Sequence, residues 1–271
     1  MIWNDVFCNT FRALREKIEP EVKKKIDFTL PSMPMVNVCR ADDFDFFQPL
    51  IDSGDLTIDQ MHHAAQRYHL GKSKSGHPIF WMIDDLGIVH DGHIGNSWVS
   101  QMLKSRYPDL AQYIRPQHCL FGLHLLCHTD CTDYTDVKSP ISAVYARTKK
   151  SVKSVESVCD LKTICVVESE RSAVVLSEIF PESIWMAYSY TANLTVDLLE
   201  PLQGRTVTIY PRTDPFMNTY LFFLEYVNTV HQTYPCIHLT IDDTLEENTS
   251  SDQKSRCIDL LDFILDDPQN F

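Results

Sequence analysis

Thr163-Ile164-Cys165-Val166-Val167-Glu168-Ser169-Glu170, with its continuation to Asp214, is the stretch whose reading decides the fold. The apolar run breaks off at Glu168-Ser169-Glu170, and a helical pattern follows from Ser172 to Ile179. A second strand-like run is Ile184-Trp185-Met186-Ala187. A third, Val207-Thr208-Ile209-Tyr210, ends in Pro211-Arg212-Thr213-Asp214. Short apolar runs alternating with helical segments predict an α/β domain built on a parallel sheet with flanking helices. Sites in such sheets lie beyond the carboxyl ends of the strands, where Glu168 and Asp214 both fall. Downstream, Tyr220, Phe223, Val227 and Val230 mark one helix face, and Ile237–Ile241 reads as a further strand ending at Asp242. A polar stretch, Thr244–Ser251, precedes an amphipathic helix over 256–265 through Ile258, Leu261 and Leu265.

Upstream the pattern changes. Thr57 is placed to cap a helix with an apolar face of Ile58, Met61, Ala65 and Tyr68. Pro78–Ile83 and Ile88–Ile94, joined by Asp84-Asp85-Leu86-Gly87, predict a hairpin. Trp98, Val99, Met102 and Leu103 then recur at helical spacing. The expected organisation is an N-terminal helical and connecting segment (1–56), a small α+β accessory domain with the hairpin (57–135), and the α/β domain (142–267). The polar run 129–142 is the internal boundary. The first segment is read as helical over 1–26 from Phe7, Phe11, Leu14 and Ile18, with a connecting piece and one short helix over 29–56.

A chain of 271 residues can bury a substantial core. Its net charge of −13 disfavours non-specific DNA binding without a local basic face, because phosphate neutralisation supplies most of that affinity. Arg147, Lys149, Lys150 and Lys153 form the densest basic patch and are the candidate nucleic-acid contacts. A solvated helix face is the competing reading. No apolar run approaches the ~20 residues that span a bilayer, and Met1-Ile2-Trp3-Asn4-Asp5 lacks the layout of a secretion signal. The expectation is a cytoplasmic protein with no membrane partner. Nine cysteines without a small secreted framework point to free thiols.

Several segments, in order, resemble a Toprim-like family of unknown function found in Bacteroidetes and their mobile elements. They are Leu70-Gly71-Lys72-Ser73, Phe80-Trp81-Met82-Ile83-Asp84, Cys119-Leu120-Phe121-Gly122, Val167-Glu168-Ser169-Glu170-Arg171-Ser172-Ala173, Trp185, Leu202-Gln203-Gly204-Arg205 and Pro211-Arg212-Thr213-Asp214. Toprim domains are the metal-binding modules of primases and topoisomerases. The resemblance implies a Mg²⁺ site in which Glu168 takes the family's Glu position and Asp214 the second Asp of an Asp-x-Asp. Two departures stand out. The first Asp is Arg212, and the Gly-rich segment expected after the Trp strand is Tyr188-Ser189-Tyr190-Thr191. A guanidinium repels Mg²⁺ and can itself pair with Glu168 or Asp214. Glu170 and Asp242 are the substitute ligands if the site is active.

The resemblance therefore implies a catalytically degenerate Toprim-like protein, leaning away from enzyme. It would act as a nucleic-acid-associated accessory, with DNA or replication and mobilisation proteins as partners and without a cofactor. An active Mg²⁺-dependent nuclease or primase with substitute carboxylates, and a protein-interaction module without nucleic acid, are the alternatives. Two other motifs are weaker. Gly71-Lys72-Ser73 contains the end of a phosphate loop but precedes a strand rather than a helix. His118, Cys119, His124, Cys127, His128 and Cys131 have zinc-like spacing, yet crowd into one stretch with no second half-site, so free thiols and surface histidines are expected.

Overall fold

A computed structural model describes residues 33–114, 116, 118–126, 162–191 and 194–266. The helix expected over 1–26, the 129–142 boundary, Cys127, His128 and Cys131, and the basic patch Arg147–Lys153 lie outside the described residues. The described residues divide into two compact units, one drawn from 33–82 and 89–118, the other from 83–88 and 119–266.

The first unit begins with α1 (Met33–Cys39), a 3-10 turn (Asp45–Phe47) and α2 (Gln48–Ser53), where one short helix was expected. Pro49 in the first turn of α2 fits a position whose amide has no helical partner, and Gly54, in the left-handed region at φ 85°, ends the helix. Helix α3 (Ile58–Arg67) is started by a reciprocal capping box between Thr57 and Gln60. It buries Met61, Ala64 and Ala65, while Ile58, expected on the same face, is exposed. Strands β1 (Gly71–Lys72), β2 (Pro78–Ile83), β3 (Val89–Ile94) and β4 (Ser97–Trp98) form a sheet in that order, with β1 antiparallel to β2 and β4 antiparallel to β3. The Asp84 carboxylate accepts the Leu86 and Ile88 amides, each at 2.9 Å, and so shapes the β2–β3 turn.

Helix α4 (Val99–Arg106) has Trp98 at its N-cap, which offers no oxygen. Buried Asp91 on β3 supplies one instead. Its carboxylate accepts the Ser100 amide at 2.9 Å and the Gly92 amide at 2.7 Å, and also the Ser100 hydroxyl. A buried carboxylate is tolerable when it is surrounded by donors in this way.

The second unit carries the decisive stretch. Strands β5 (Ile164–Val167), β6 (Ile184–Ala187), β7 (Thr206–Ile209) and β8 (His238–Ile241) form a four-stranded sheet, order β6-β5-β7-β8, with every pairing parallel. All four residues of β5 and of β6 are buried, whereas β8 alternates between exposed and buried. Burial on both faces is what a continuous apolar run encodes in a parallel sheet. Phe121 pairs with Ala187 and covers the outer side of β6 at its end. Helix α5 (Glu170–Ile179) packs against β5 and β6. Helix α6 (Asn218–Thr233) packs against β8 and a 3-10 helix over Val196–Leu202. Leu199, Phe223 and Val230 join Ile164, Val166, Val207 and Ile209 in one core.

The C-terminal portion departs from the expected single helix. Helix α7 (Thr244–Asn248) lies within the stretch read as polar, 244–251, and α8 (Ser251–Arg256) starts at its last residue. Cys257 enters the left-handed region at φ 54° and breaks the pattern, so α9 (Leu260–Asp266), the last helix among the described residues, starts four residues later than expected. A capping box between Ser250 and Gln253 explains the extra start at α8.

One packing constraint in the first unit is testable. A Cβ on Gly92 would lie 2.7 Å from Cε3 of buried Trp81 and 2.9 Å from Val99 Cγ2. Gly92→Ala is expected to cost about 1–3 kcal/mol through overpacking, read from the urea midpoint. An unchanged midpoint would show that Trp81 moves aside at no cost.

Candidate functional site

The order β6-β5-β7-β8 puts a topological switch point at β5, because the chain leaves it toward β6 and then returns past it to β7. The crevice beyond the carboxyl ends of strands at such a point is the default site of an open α/β sheet. Glu168 follows β5 directly, and Arg212 and Asp214 lie in the loop after neighbouring β7. Both carboxylates therefore belong to the same edge of the sheet.

Local structure fixes each group differently. After Glu168, Ser169 caps α5 by accepting the Ser172 amide at 3.4 Å, which turns the chain sharply off the strand. The Glu168 carbonyl accepts the amide of Ser189, a serine at φ 66°. The backbone thus keeps here a conformation that glycine adopts most readily, although the segment reads Tyr188-Ser189-Tyr190. Arg212 Nε lies 3.0 Å from Glu168 Oε2, with the arginine side chain 46% exposed and the glutamate 15% exposed. That oxygen makes no well-aligned hydrogen bond, so charge rather than donor geometry holds the pair.

Burial pushes the Glu168 carboxyl above its ordinary range; Arg212 opposes the shift, while Asp259 and Glu170 add to it. A group that favours its protonated form in the folded state loses stability as pH rises from its ordinary value through its folded one. Glu168 is thus an electrostatic cost at neutral pH, and Arg212 reduces it. The Tyr188 hydroxyl, buried and also close to Glu168, is pushed up by burial first and by Glu168 second.

Asp214 is engaged by backbone amides instead. Its Oδ1 accepts the amides of Phe216 at 2.9 Å and Asn218 at 3.1 Å, and its Oδ2 accepts that of Thr219 at 2.7 Å. The Asn218 and Thr219 amides are unsatisfied donors at the start of α6, where a carboxylate also meets the positive end of the helix dipole. Burial alone would raise its pKa, but the amide hydrogen bonds outweigh that and lower it. Asp242 plays a similar part after β8, with Oδ1 accepting the Thr244 amide at 3.0 Å. Glu170 is buried in the first turn of α5.

The acid that joins Glu168 is one the sequence reading missed. Asp259 precedes α9, accepts the Asp262 amide at 3.0 Å, and takes a hydrogen bond from the Ser172 hydroxyl on α5. Burial raises its carboxyl, and Asp262 adds to the shift. It arrives because Thr213 in the β7 loop donates from its amide, at 2.9 Å, and from its hydroxyl, at 3.2 Å, to the Ile258 carbonyl. The edge therefore holds Glu168, Asp259 and buried Glu170, countered by Arg212.

Chemically, this arrangement does not fit a divalent ion. Mg²⁺ needs several oxygens free to converge on it, but Asp214 is committed to backbone amides and a guanidinium stands against Glu168. Among the described residues, no three His, Cys, Asp or Glu side chains are placed to hold a metal. Of the His/Cys cluster, His124 is buried in a 3-10 helix over Leu123–Leu126, and exposed His118 meets the Trp98 ring edge-on at 5.2 Å. Among the described residues no helix is long and apolar enough to cross a membrane.

The fold and edge define a parallel α/β domain whose acidic crevice is closed by an arginine. A family model described as "Domain of unknown function (DUF6371)" matches residues 45–151 and 154–213, more than half of the chain, and the chain belongs to that family. The match takes in β5, β6, β7 and Arg212, and ends one residue before Asp214. No curated protein and no solved structure matches the chain.

Asp214→Ala is expected to destabilise the protein by about 1–2 kcal/mol at neutral pH, as removal of a helix cap does. Because the folded pKa is lowered, the benefit of Asp214 exists above its ordinary value and is lost as pH falls through the folded one. Urea titrations of parent and variant should therefore converge in acid. A difference that persists there unchanged would show that the carboxylate does not cap α6.

Proposed function

We propose that this protein is a Toprim-like module that has given up metal-dependent catalysis. In this reading it serves as a nucleic-acid-associated accessory in replication or mobilisation. The observation that carries the reading is the 3.0 Å ion pair between Arg212 and Glu168, at the edge where the resemblance implies a Mg²⁺. Two acids brought together repel, and a bound cation relieves the repulsion; a guanidinium does so permanently. The engagement of Asp214 by the α6 amides supports the same reading, since it takes the second implied ligand out of reach.

A protein-binding role is the second reading, favoured by one observation. Met217, Leu221 and Leu224, spaced along one side at the start of α6, are exposed, as are Phe216 and Phe222. Monomeric surfaces seldom keep such residues together without a use. A partner protein there and nucleic acid elsewhere on the chain are compatible.

Melting and cleavage assays test the proposal. The parent protein should melt at the same temperature with and without millimolar-range Mg²⁺, and should leave DNA intact. Arg212→Asp should melt lower without Mg²⁺ and recover when it is added, because a ligand held only by the folded state shifts unfolding by mass action. Mg²⁺-dependent cleavage or priming by the parent, abolished by Glu168→Gln, would refute the loss of catalysis.

A further inference from the structure

The first unit contains a cleft that the reading above does not use. It has a volume of about 680 Å³ and lies between the turn joining β1 to β2 and the outer face of α4. We infer that this cleft binds a nucleotide phosphate, with Lys74, Arg106 and serine hydroxyls on the phosphate and Tyr107 and Met102 against the base. The shared chemistry is a phosphate ester bearing a planar base, taken from a free nucleotide or from one unit of a single strand. Only the second source rests on the proposed nucleic-acid association.

Three features carry the inference. The first is charge. The chain has 37 acidic and 24 basic residues, yet the cleft is lined by Lys74 and Arg106 and by no carboxylate among the described residues. The second is the donor set. Ser73 and Ser75 in the turn, whose hydroxyls hydrogen-bond each other at 3.1 Å, and Ser97 and Ser105 line the same cleft as both cations, and hydroxyls are donors that phosphate oxygens accept. The third is the apolar part. Met102, 51% exposed on a face where the helical pattern expects a buried residue, lines the cleft with half-buried Tyr107. An exposed thioether and a ring give a flat base a surface to stack on. The volume falls in the usual range of small-ligand sites, about 300–1,000 Å³.

The backbone explains why side chains must do this work. The N-terminus of α4, otherwise a natural anion site, is already closed by Asp91. The turn Ser73–Gly76 is held by its own hydrogen bonds, Gly76 amide to Ser73 carbonyl at 3.0 Å and Ser73 amide to His77 carbonyl at 2.8 Å. It thus holds Lys74 and Ser75 on a short hairpin rather than forming a phosphate loop. Lys104 and Arg106 also complement the C-terminal carbonyls of α4, so part of the positive charge has a role in the empty protein.

The test uses the full chain with two probes, AMP by calorimetry and a short labelled oligothymidylate by anisotropy over a salt series. Lys74→Glu and Ser75→Glu change exposed turn residues and should leave the melting temperature alone. Each should weaken the bound probe about tenfold or more. For the oligonucleotide, Lys74→Ala should also flatten the salt slope by about 0.7, the value for one phosphate contact on a single strand. Arg212→Gln, in the other unit, should change neither. Binding of AMP without the oligonucleotide supports the cleft as a free-nucleotide site and counts against nucleic-acid association. Oligonucleotide binding indifferent to Lys74→Glu and Ser75→Glu overturns the cleft and leaves that association standing. Failure of both probes at low salt overturns both.

Discussion

The structure depends on burying β5 from both sides. Ile164-Cys165-Val166-Val167 has no solvent-facing position, so helices must cover both faces and the connections must cross over. Parallel crossovers then bring all strand ends to one edge. The first polar residue after such a strand emerges from the core already half out of water. Glu168 therefore carries a desolvation cost that follows from the fold rather than from any task it performs.

That cost frames the rest of the edge. A carboxylate in this position needs a counter-charge, and a divalent ion or a guanidinium can provide one. Here Arg212 approaches from the β7 loop, while Asp214, two residues on, serves the start of α6. One short loop thus divides two electrostatic duties between residues two apart. Ser189 keeps its left-handed backbone beside Glu168 without being a glycine, and the buried Tyr188 lies close to Glu168. These are the features of a crevice occupied by its own side chains.

Much of this was legible in the sequence. The strands of the parallel sheet declared themselves as short apolar runs, and the cap at Thr57 and the β2–β3 turn by their polar punctuation. The edge position of Glu168 and Asp214 followed from strand direction. The partition between them did not, because Arg212 stands two residues from Asp214 in sequence yet pairs across the strand ends with Glu168, and only side-chain geometry separates the two. Asp259 was beyond reach for another reason. Its local signal, an acid three residues before Asp262, speaks of a helix start, and its place beside Ser172 depends on contacts 87 residues apart. Met102 and Ile58 fitted helical apolar faces yet are exposed, since periodicity fixes a stripe but not its margins. The left-handed Cys257 delayed the helix expected from 256 until Leu260, because nothing in a cysteine announces that conformation.

The link from Thr213 to the Ile258 carbonyl bears on how the domain is made. Ribosomes release this chain from its N-terminus, so the four strands, Glu168 and Arg212 all emerge before Ile258 and Asp259 do. Until then the Thr213 amide lacks its acceptor and Ser172 lacks its carboxylate partner. Glu168, Glu170 and Arg212 come together first, and Asp259 adds a further carboxylate only when α9 docks. A nascent chain stalled short of α9 would thus present an edge with one carboxylate fewer than the folded domain, and the docking of Ile258 and Asp259 is a late step in building it.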